Sequence, residues 1–310
     1  MTYPWKALFL LLIVLSACSE VENQNDTGVI ISTDRLRAEM EDPSLVLFHV
    51  GTREVYDSIH IPGSLFLDPY KFTVSSEGLR NQLPGLDSIF ALLGTLGADK
   101  NSKIVLYYES ERMITRASRV FLTLDYAGLG DRCQVLNGGL DGWLERSQDS
   151  VTSQVTEKVT GDKELRSVTG DKEVIILADE LNHHRWDPEY VIVDVRSAEE
   201  YYGEIDSTGR LGTRGHIEGA YFMDYHLLLS ESNPQVIKDN EELLKEFKKA
   251  GMDREKTAVF YCGSGIRASL SYLAAKHLGF PALMYDGSIQ EWEQLGMPQT
   301  SPAIRSTQTK

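Results

Sequence analysis

A chain of 310 residues with 42 % hydrophobic residues is long enough for about two ordinary domains, each able to bury a core. The formal charge of −15, with no basic cluster to offset it, argues against nucleic acid as a partner. Cys18, Cys133 and Cys262 are too few and too scattered for a disulfide framework or a metal site, so each needs its own explanation.

In chain order, Met1 to Cys18 stands outside the fold. Lys6 precedes an uninterrupted apolar run, Ala7 to Leu15, which has the length of a signal-peptide core and is too short for a stable spanning helix. The run closes on Leu15-Ser16-Ala17-Cys18. This resembles the lipobox of bacterial lipoproteins, which implies that residues 1–17 are removed and that Cys18 is acylated. An ordinary secretory cleavage site with a chance cysteine is the alternative. Residues 18–28 are polar and read as a solvated tether. The expected protein is exported and held at a membrane, on the periplasmic or cell-surface side, through a lipid anchor only.

The remainder is a repeat. Val29-Ile30-Ile31-Ser32-Thr33-Asp34-Arg35-Leu36 lies against Val174-Ile175-Ile176-Leu177-Ala178-Asp179-Glu180-Leu181, 145 residues later. The spacing still holds at Asp42-Pro43 against Asp187-Pro188 and at His49-Val50 against Asp194-Val195. It widens to 156 where His60-Ile61-Pro62-Gly63-Ser64 meets His216-Ile217-Glu218-Gly219-Ala220, because the second copy carries a longer polar loop between Gly203 and Gly215. Asn137 to Trp143 then lies against Asp286 to Trp292. Each copy reads strand, helix, buried strand, His-Ile turn, helix, strand, loop, helix, strand, which predicts an α/β fold with a parallel sheet flanked by helices. The domains expected are 29–150 and 174–303, with a linker at 151–173 and a tail at 304–310. The linker repeats Val159-Thr160-Gly161-Asp162-Lys163-Glu164 as Val168 to Glu173 and lacks a hydrophobic face, so it is read as a tether or a small exposed hairpin.

The chemistry is expected in the second copy. Val259 to Tyr261 reads as a buried strand that delivers Cys262 to its carboxyl end, followed by Gly263-Ser264-Gly265-Ile266-Arg267 and a helix running to about Leu278. Ligands bind beyond strand ends in parallel α/β sheets, where the next helix turns its free N–H groups into the crevice. Gly263 and Gly265 permit the positive φ angles that aim successive amides at one point, and Arg267 adds a charged donor at the rim. A thiol placed there is suited to existing as a thiolate. The first copy has Glu109-Ser110-Glu111-Arg112 after its equivalent strand, Ile104 to Tyr108, with no thiol. It is expected to be a scaffold or lid.

Asp194-Val195-Arg196, Glu200-Tyr201-Tyr202-Gly203, Gly215 to Ala220, Cys262 to Arg267 and Asp286 to Trp292 together resemble the ordered signature of the rhodanese superfamily, and the duplication resembles its tandem-domain members. The resemblance spans Val29 to about Pro302. It implies an active carboxyl-terminal domain that moves sulfur from thiosulfate or 3-mercaptopyruvate through a persulfide on Cys262 to a thiol or cyanide. No cofactor or metal enters this reading. The loop is closer to the mercaptopyruvate enzymes, whereas the thiosulfate enzymes usually place basic residues after the cysteine. Those enzymes also tend to carry an arginine where Glu200 stands and a small hydroxyl residue where Arg267 stands.

Gly263 to Arg267 are expected to bind substrate, while Asp194 and Arg196 brace the loop. His216 reads as a turn residue, Trp143 and Trp292 as core or interface aromatics, and Cys133 as a buried strand residue. His183-His184 has no third ligand at metal spacing. A cysteine phosphatase would need five residues between cysteine and arginine, and four stand here. A binding module or persulfide carrier for a partner protein is the non-enzymatic alternative.

Overall fold

The structure, a computed structural model, describes residues 28–99, 101–146, 151–154, 174–205 and 215–301. The expected signal segment, most of the tether, the tandem hexapeptides, most of the loop from Gly203 to Gly215 and the tail from 304 lie outside the described residues.

In the first half, Ser32 follows β1 (Ile30–Ile31) and caps α1 (Thr33–Glu39) by accepting the Arg35 N–H at 3.1 Å. Then come β2 (Leu45–Val50), α2 (Arg53–Ser58), β3 (Leu65–Leu67), a hairpin of β4 (Val74–Ser76) and β5 (Leu79–Gln82), and α3 (Leu86–Thr95). The half closes with β6 (Lys103–Tyr108), α4 (Glu111–Tyr126), β7 (Cys133–Leu136) and α5 (Gly139–Arg146). The sheet runs β1-β7-β6-β2-β3 with every pairing parallel. Its central strands read Leu-Val-Leu-Phe-His-Val and Lys-Ile-Val-Leu-Tyr-Tyr without alternation, because helices cover both faces. Residues 151–154 stay with this half: Thr152 exchanges both backbone hydrogen bonds with His60 at 3.0 Å.

The second half repeats the plan with α6 (Ala178–His184), β8 (Tyr190–Asp194), α7 (Ala198–Tyr201), β9 (His216–Ile217), β10 (Tyr221–Phe222) and α8 (Asn240–Lys249). It continues with β11 (Thr257–Tyr261), α9 (Ile266–His277), β12 (Ala282–Met284), α10 (Ser288–Gln294) and β13 (Gln299–Thr300). Its sheet is also parallel, in the order β10-β8-β11-β12, and a bridge from Ile175 to Met284 stands where β1 stands in the first half. The two halves are therefore α/β domains of one design.

They pack through α4 and α9, the helices that follow the two central strands. Residues 114, 115 and 117–125 of α4 and 268–275 of α9 are buried all round, so neither helix has a solvent face in its middle. Phe48, Leu106 and Phe121 of one half and Val193, Phe260 and Leu273 of the other belong to a single apolar core. Polar ties cross the same boundary: Tyr272 donates to Asp125 at 2.7 Å, and the Asn137 amide pairs with both backbone groups of Ile237 at 2.8 and 2.9 Å. Among the described residues no helix is long and apolar enough to cross a membrane.

Candidate active site

β11 is flanked by β8 and β12, in the middle of its sheet, and its last residue, Tyr261, lies opposite Asp194. Cys262 follows at the strand's carboxyl end and is 1 % exposed. Its backbone is fixed from α10: the Cys262 N–H donates to Ser288 Oγ at 3.3 Å, and its carbonyl accepts the Ile289 N–H at 3.1 Å. Ser288 holds the left-handed conformation, φ 56°, that brings this hydroxyl under the cysteine. The chain then turns into α9 at Gly265, φ 85°. Of the two glycines expected to take positive φ, only Gly265 does so. A Cβ there would also stand 2.9 Å from Arg119 Nη1, so both the conformation and the space call for glycine. The backbone N–H groups of residues 263–267 have no acceptor among the described residues. Gly265 caps the twelve-residue helix that Ile266 and Arg267 begin, and its dipole adds to the attraction of these groups for an anion.

Arg267, in the first turn of α9, is engaged rather than free. Its Nη1 and Nη2 donate to the two carboxylate oxygens of Glu200 at 2.6 and 2.8 Å. Burial opposes the charge on Arg267, but Glu200, together with the field of Cys262, holds the guanidinium protonated more firmly than usual. For Glu200 burial favours the neutral acid, and Arg267 overcomes it, so the carboxyl sits below its ordinary range. Glu200 is pinned from its other side too, since Ser197 and Glu200 form a capping box at the start of α7.

Asp194 and Arg196, expected to brace the cysteine loop, bond to each other. Arg196 donates from Nε and Nη2 to the Asp194 carboxylate, the shortest contact being 2.7 Å, and from Nη2 to the Gly215 carbonyl at 2.8 Å. Among the described residues no hydrogen bond from either side chain reaches residues 262–267. The pair ties to the turn at Gly215, just before β9, and not to the cysteine loop it was expected to brace. His216 stacks on Tyr201 with ring centroids 3.7 Å apart and bonds the Tyr201 carbonyl through Nδ1. Trp143 and Trp292 are buried, and Cys133 lies inside β7 where burial pushes its thiol up.

The first domain forms the other wall. Asn81, at φ 58° in β5, donates from Nδ2 to Ser264 Oγ at 2.9 Å and accepts from Arg116 Nη1 at 3.3 Å. Arg119 of α4, 1 % exposed, donates to Asp286 Oδ1 and to the Asn81 carbonyl, each at 2.5 Å, and Asp286 Oδ2 accepts the Leu83 N–H at 2.8 Å. Tyr225 completes the surround; burial raises its phenol, which also feels Arg267, Glu111 and Cys262. Asn81 and Arg119 carry no local sequence signal for these contacts, whereas Glu200, Asp286 and Ser288 lie in blocks of the family resemblance that mark the site without giving these pairings.

Superposing the two sheets by register explains why the first domain lacks a comparable site. Tyr107 faces His49 and its hydroxyl accepts the Ile61 N–H at 3.1 Å, as Tyr261 faces Asp194 and accepts the Ile217 N–H at 3.0 Å. The counterpart of Cys262 is therefore Tyr108. Its buried ring fills the strand end, and its hydroxyl donates to the Gln235 carbonyl at 2.5 Å. Glu109, one residue on, is turned back to the buried His49 at 2.8 Å. Burial outweighs the pull of Glu109 and keeps that imidazole below its usual range. Two cavities, of about 330 and 400 Å³, lie elsewhere, at the β1 and α8 junction and beside Trp186.

Comparison with known proteins agrees with this geometry. The family model for the rhodanese-like domain matches residues 32–146 and 177–295. A thiosulfate sulfurtransferase of Azotobacter vinelandii is 28 % identical over 272 residues, covering 85 % of this chain and 93 % of that protein. The 3-mercaptopyruvate sulfurtransferase of Escherichia coli K12 is 25 % identical over 279 residues, covering 86 % and 95 %. An anaerobic ergothioneine biosynthesis enzyme from Chlorobium limicola has the same fold, with a TM-score of 0.77 at 22 % identity over 90 % of this chain and 71 % of that one.

Proposed function

The chain belongs to the rhodanese-like family and is a sulfurtransferase, and on that premise we propose that its second domain carries a sulfane sulfur on Cys262, taken from thiosulfate or 3-mercaptopyruvate and given to cyanide or a thiol. The observation that carries the reading is the cysteine at a strand end beneath residues 263–267, whose backbone N–H groups have no protein acceptor among the described residues.

In the first step the Cys262 thiolate attacks the outer sulfur of thiosulfate. A sulfur–sulfur bond forms, the bond to the sulfonate sulfur breaks, and sulfite leaves with the bonding pair, so that Cys–S⁻ and S₂O₃²⁻ become Cys–S–S⁻ and SO₃²⁻. With 3-mercaptopyruvate the leaving group is the enolate of pyruvate, which takes up the thiol proton. In the second step cyanide attacks the terminal sulfur, thiocyanate departs, and Cys–S⁻ is restored. The amides of residues 263–267, which have no acceptor among the described residues, are the donors available to negative charge on the outer sulfur.

Incubation with thiosulfate should add the mass of one sulfur atom to the peptide that contains Cys262, and cyanide should remove it with release of thiocyanate. Turnover on the two donors, measured with one preparation, then identifies the preferred one. No adduct with either donor would reject the reading.

The localisation follows from the amino terminus, where the apolar run and Leu15-Ser16-Ala17-Cys18 support export and acylation at Cys18. Full-length protein should partition with membranes in the producing bacterium, and Cys18→Ser should release it or leave it unprocessed. Equal partitioning of both forms would remove the anchor from the account.

A further inference from the structure

We infer that Glu200 sets the charge of the sulfur donor this protein accepts, by occupying the guanidinium fork of Arg267 and so disfavouring dianions. The inference rests on the reading of Cys262 as the sulfur carrier and names a determinant of substrate class at that same site.

Arg267 lies in the turn that follows the cysteine, close enough for the Cys262 thiol to act on its charge. A free guanidinium there would offer a planar pair of donors to a sulfonate or carboxylate. Glu200 instead takes both terminal nitrogens, at 2.6 and 2.8 Å. The Glu200 side chain is 5 % exposed and that of Arg267 27 % exposed, so the carboxylate fills the inner side of the fork and the guanidinium keeps an outer edge. The pair has no net charge. Glu200 cannot swing away cheaply, because Oε2 also accepts the Ser197 N–H at 3.1 Å within the capping box. An incoming anion meets a cation already neutralised and a fixed carboxylate just behind it. Each further negative charge on a donor then gains little from Arg267 and is repelled by Glu200. In the low-dielectric setting of this loop, one charge of difference corresponds to about a tenfold difference in binding or more.

Arg116 on the facing wall does not replace Arg267. It stacks over Tyr70 at 4.6 Å and donates to the Asn81 side chain at 3.3 Å, contacts that hold its guanidinium on the first-domain side. The described residues around Cys262 therefore favour a singly charged donor.

The test compares two donors with the same kind of outer sulfur and different charge: thiosulfate, a dianion, and methanethiosulfonate, a monoanion. With the second, Cys–S⁻ and CH₃SO₂S⁻ become Cys–S–S⁻ and CH₃SO₂⁻. The unmodified protein should show the larger kcat/KM with methanethiosulfonate. Glu200→Gln keeps a residue able to complete the capping box and removes the charge. It should raise the thiosulfate to methanethiosulfonate ratio about tenfold, mainly through the KM for thiosulfate, and make thiosulfate turnover fall more steeply with salt. The double variant Glu200→Gln/Arg267→Gln should lose that gain. A wild-type preference for thiosulfate overturns the inference even if the variants misfold. So does an unchanged ratio in Glu200→Gln, which would leave the pair a structural clasp. If no donor at all forms the Cys262 adduct, the sulfurtransferase role of this cysteine falls first and this inference with it.

Discussion

Cys262→Ser should abolish thiocyanate formation, by at least about 10³-fold, while leaving the fold in place. A hydroxyl in the same amide ring is a far poorer nucleophile at neutral pH and cannot store sulfur as a persulfide, so single-turnover labelling should vanish together with steady-state turnover. The backbone of residue 262 is held by Ser288 and Ile289, which the substitution does not touch, so the melting temperature should move little. Cys133 supplies the contrast. It is completely buried in β7 among Ile104, Val120 and Leu129, where a serine hydroxyl finds no partner in an apolar setting. Cys133→Ser should therefore cost about 1–3 kcal/mol of stability and keep full specific activity in the folded fraction. Residual turnover in Cys262→Ser that still forms a protein-bound sulfur adduct would place the carrier elsewhere.

The contrast between these cysteines could be read from sequence, because both follow from local pattern. One closes a strand ahead of Gly-Ser-Gly and a helix, and the other sits inside an apolar strand. The duplicated order of strands and helices was legible for the same reason, since the His-Ile turns and Gly-containing strand ends recur at nearly constant spacing. Contacts between the halves were not. Nothing in the neighbourhood of Asn81 announces that its amide reaches Ser264, and although Glu200 belongs to the family signature, nothing around it announces the pairing with Arg267 until α9 is laid beside it. Tyr108 looked like an ordinary strand residue; strand register, which sequence spacing did not resolve, identifies it as the residue in the place of the cysteine. One indirect signal was present. The run Ala-Ser-Leu-Ser-Tyr-Leu-Ala-Ala at 268–275 has no polar face, and a helix of that kind has to be covered on two sides. Here β11 and β12 cover one side and α4 of the other domain covers the second.

That packing makes the first domain part of the site's framework, and Arg119 is where the dependence concentrates. Arg119→Met keeps most of the side-chain volume and removes the cation, leaving the Asp286 carboxylate at the domain boundary without its charged partner and the Asn81 carbonyl without its donor. Stranding one member of a buried pair costs about 3–5 kcal/mol, so denaturant unfolding should show a loss of that order. Asp286→Asn should also destabilise, because its single amide oxygen can accept from Arg119 or from the Leu83 N–H but not both, and its NH2 then faces the other donor. The double variant should be less destabilised than the sum of the singles, by about 1–3 kcal/mol. Stability is not the whole expectation, since Arg119 Nε is buried without a partner among the described residues and an apolar pair would fill the same space at lower cost. What an apolar pair would not supply is the path from Arg119 through the Asn81 backbone to its side chain and Ser264. Turnover of folded Arg119→Met, measured well below its melting point, should therefore fall at least about tenfold, with a slower rate of persulfide formation in single turnover. A variant that unfolds early and yet transfers sulfur at the normal rate while folded would confine Arg119 to holding the two domains together.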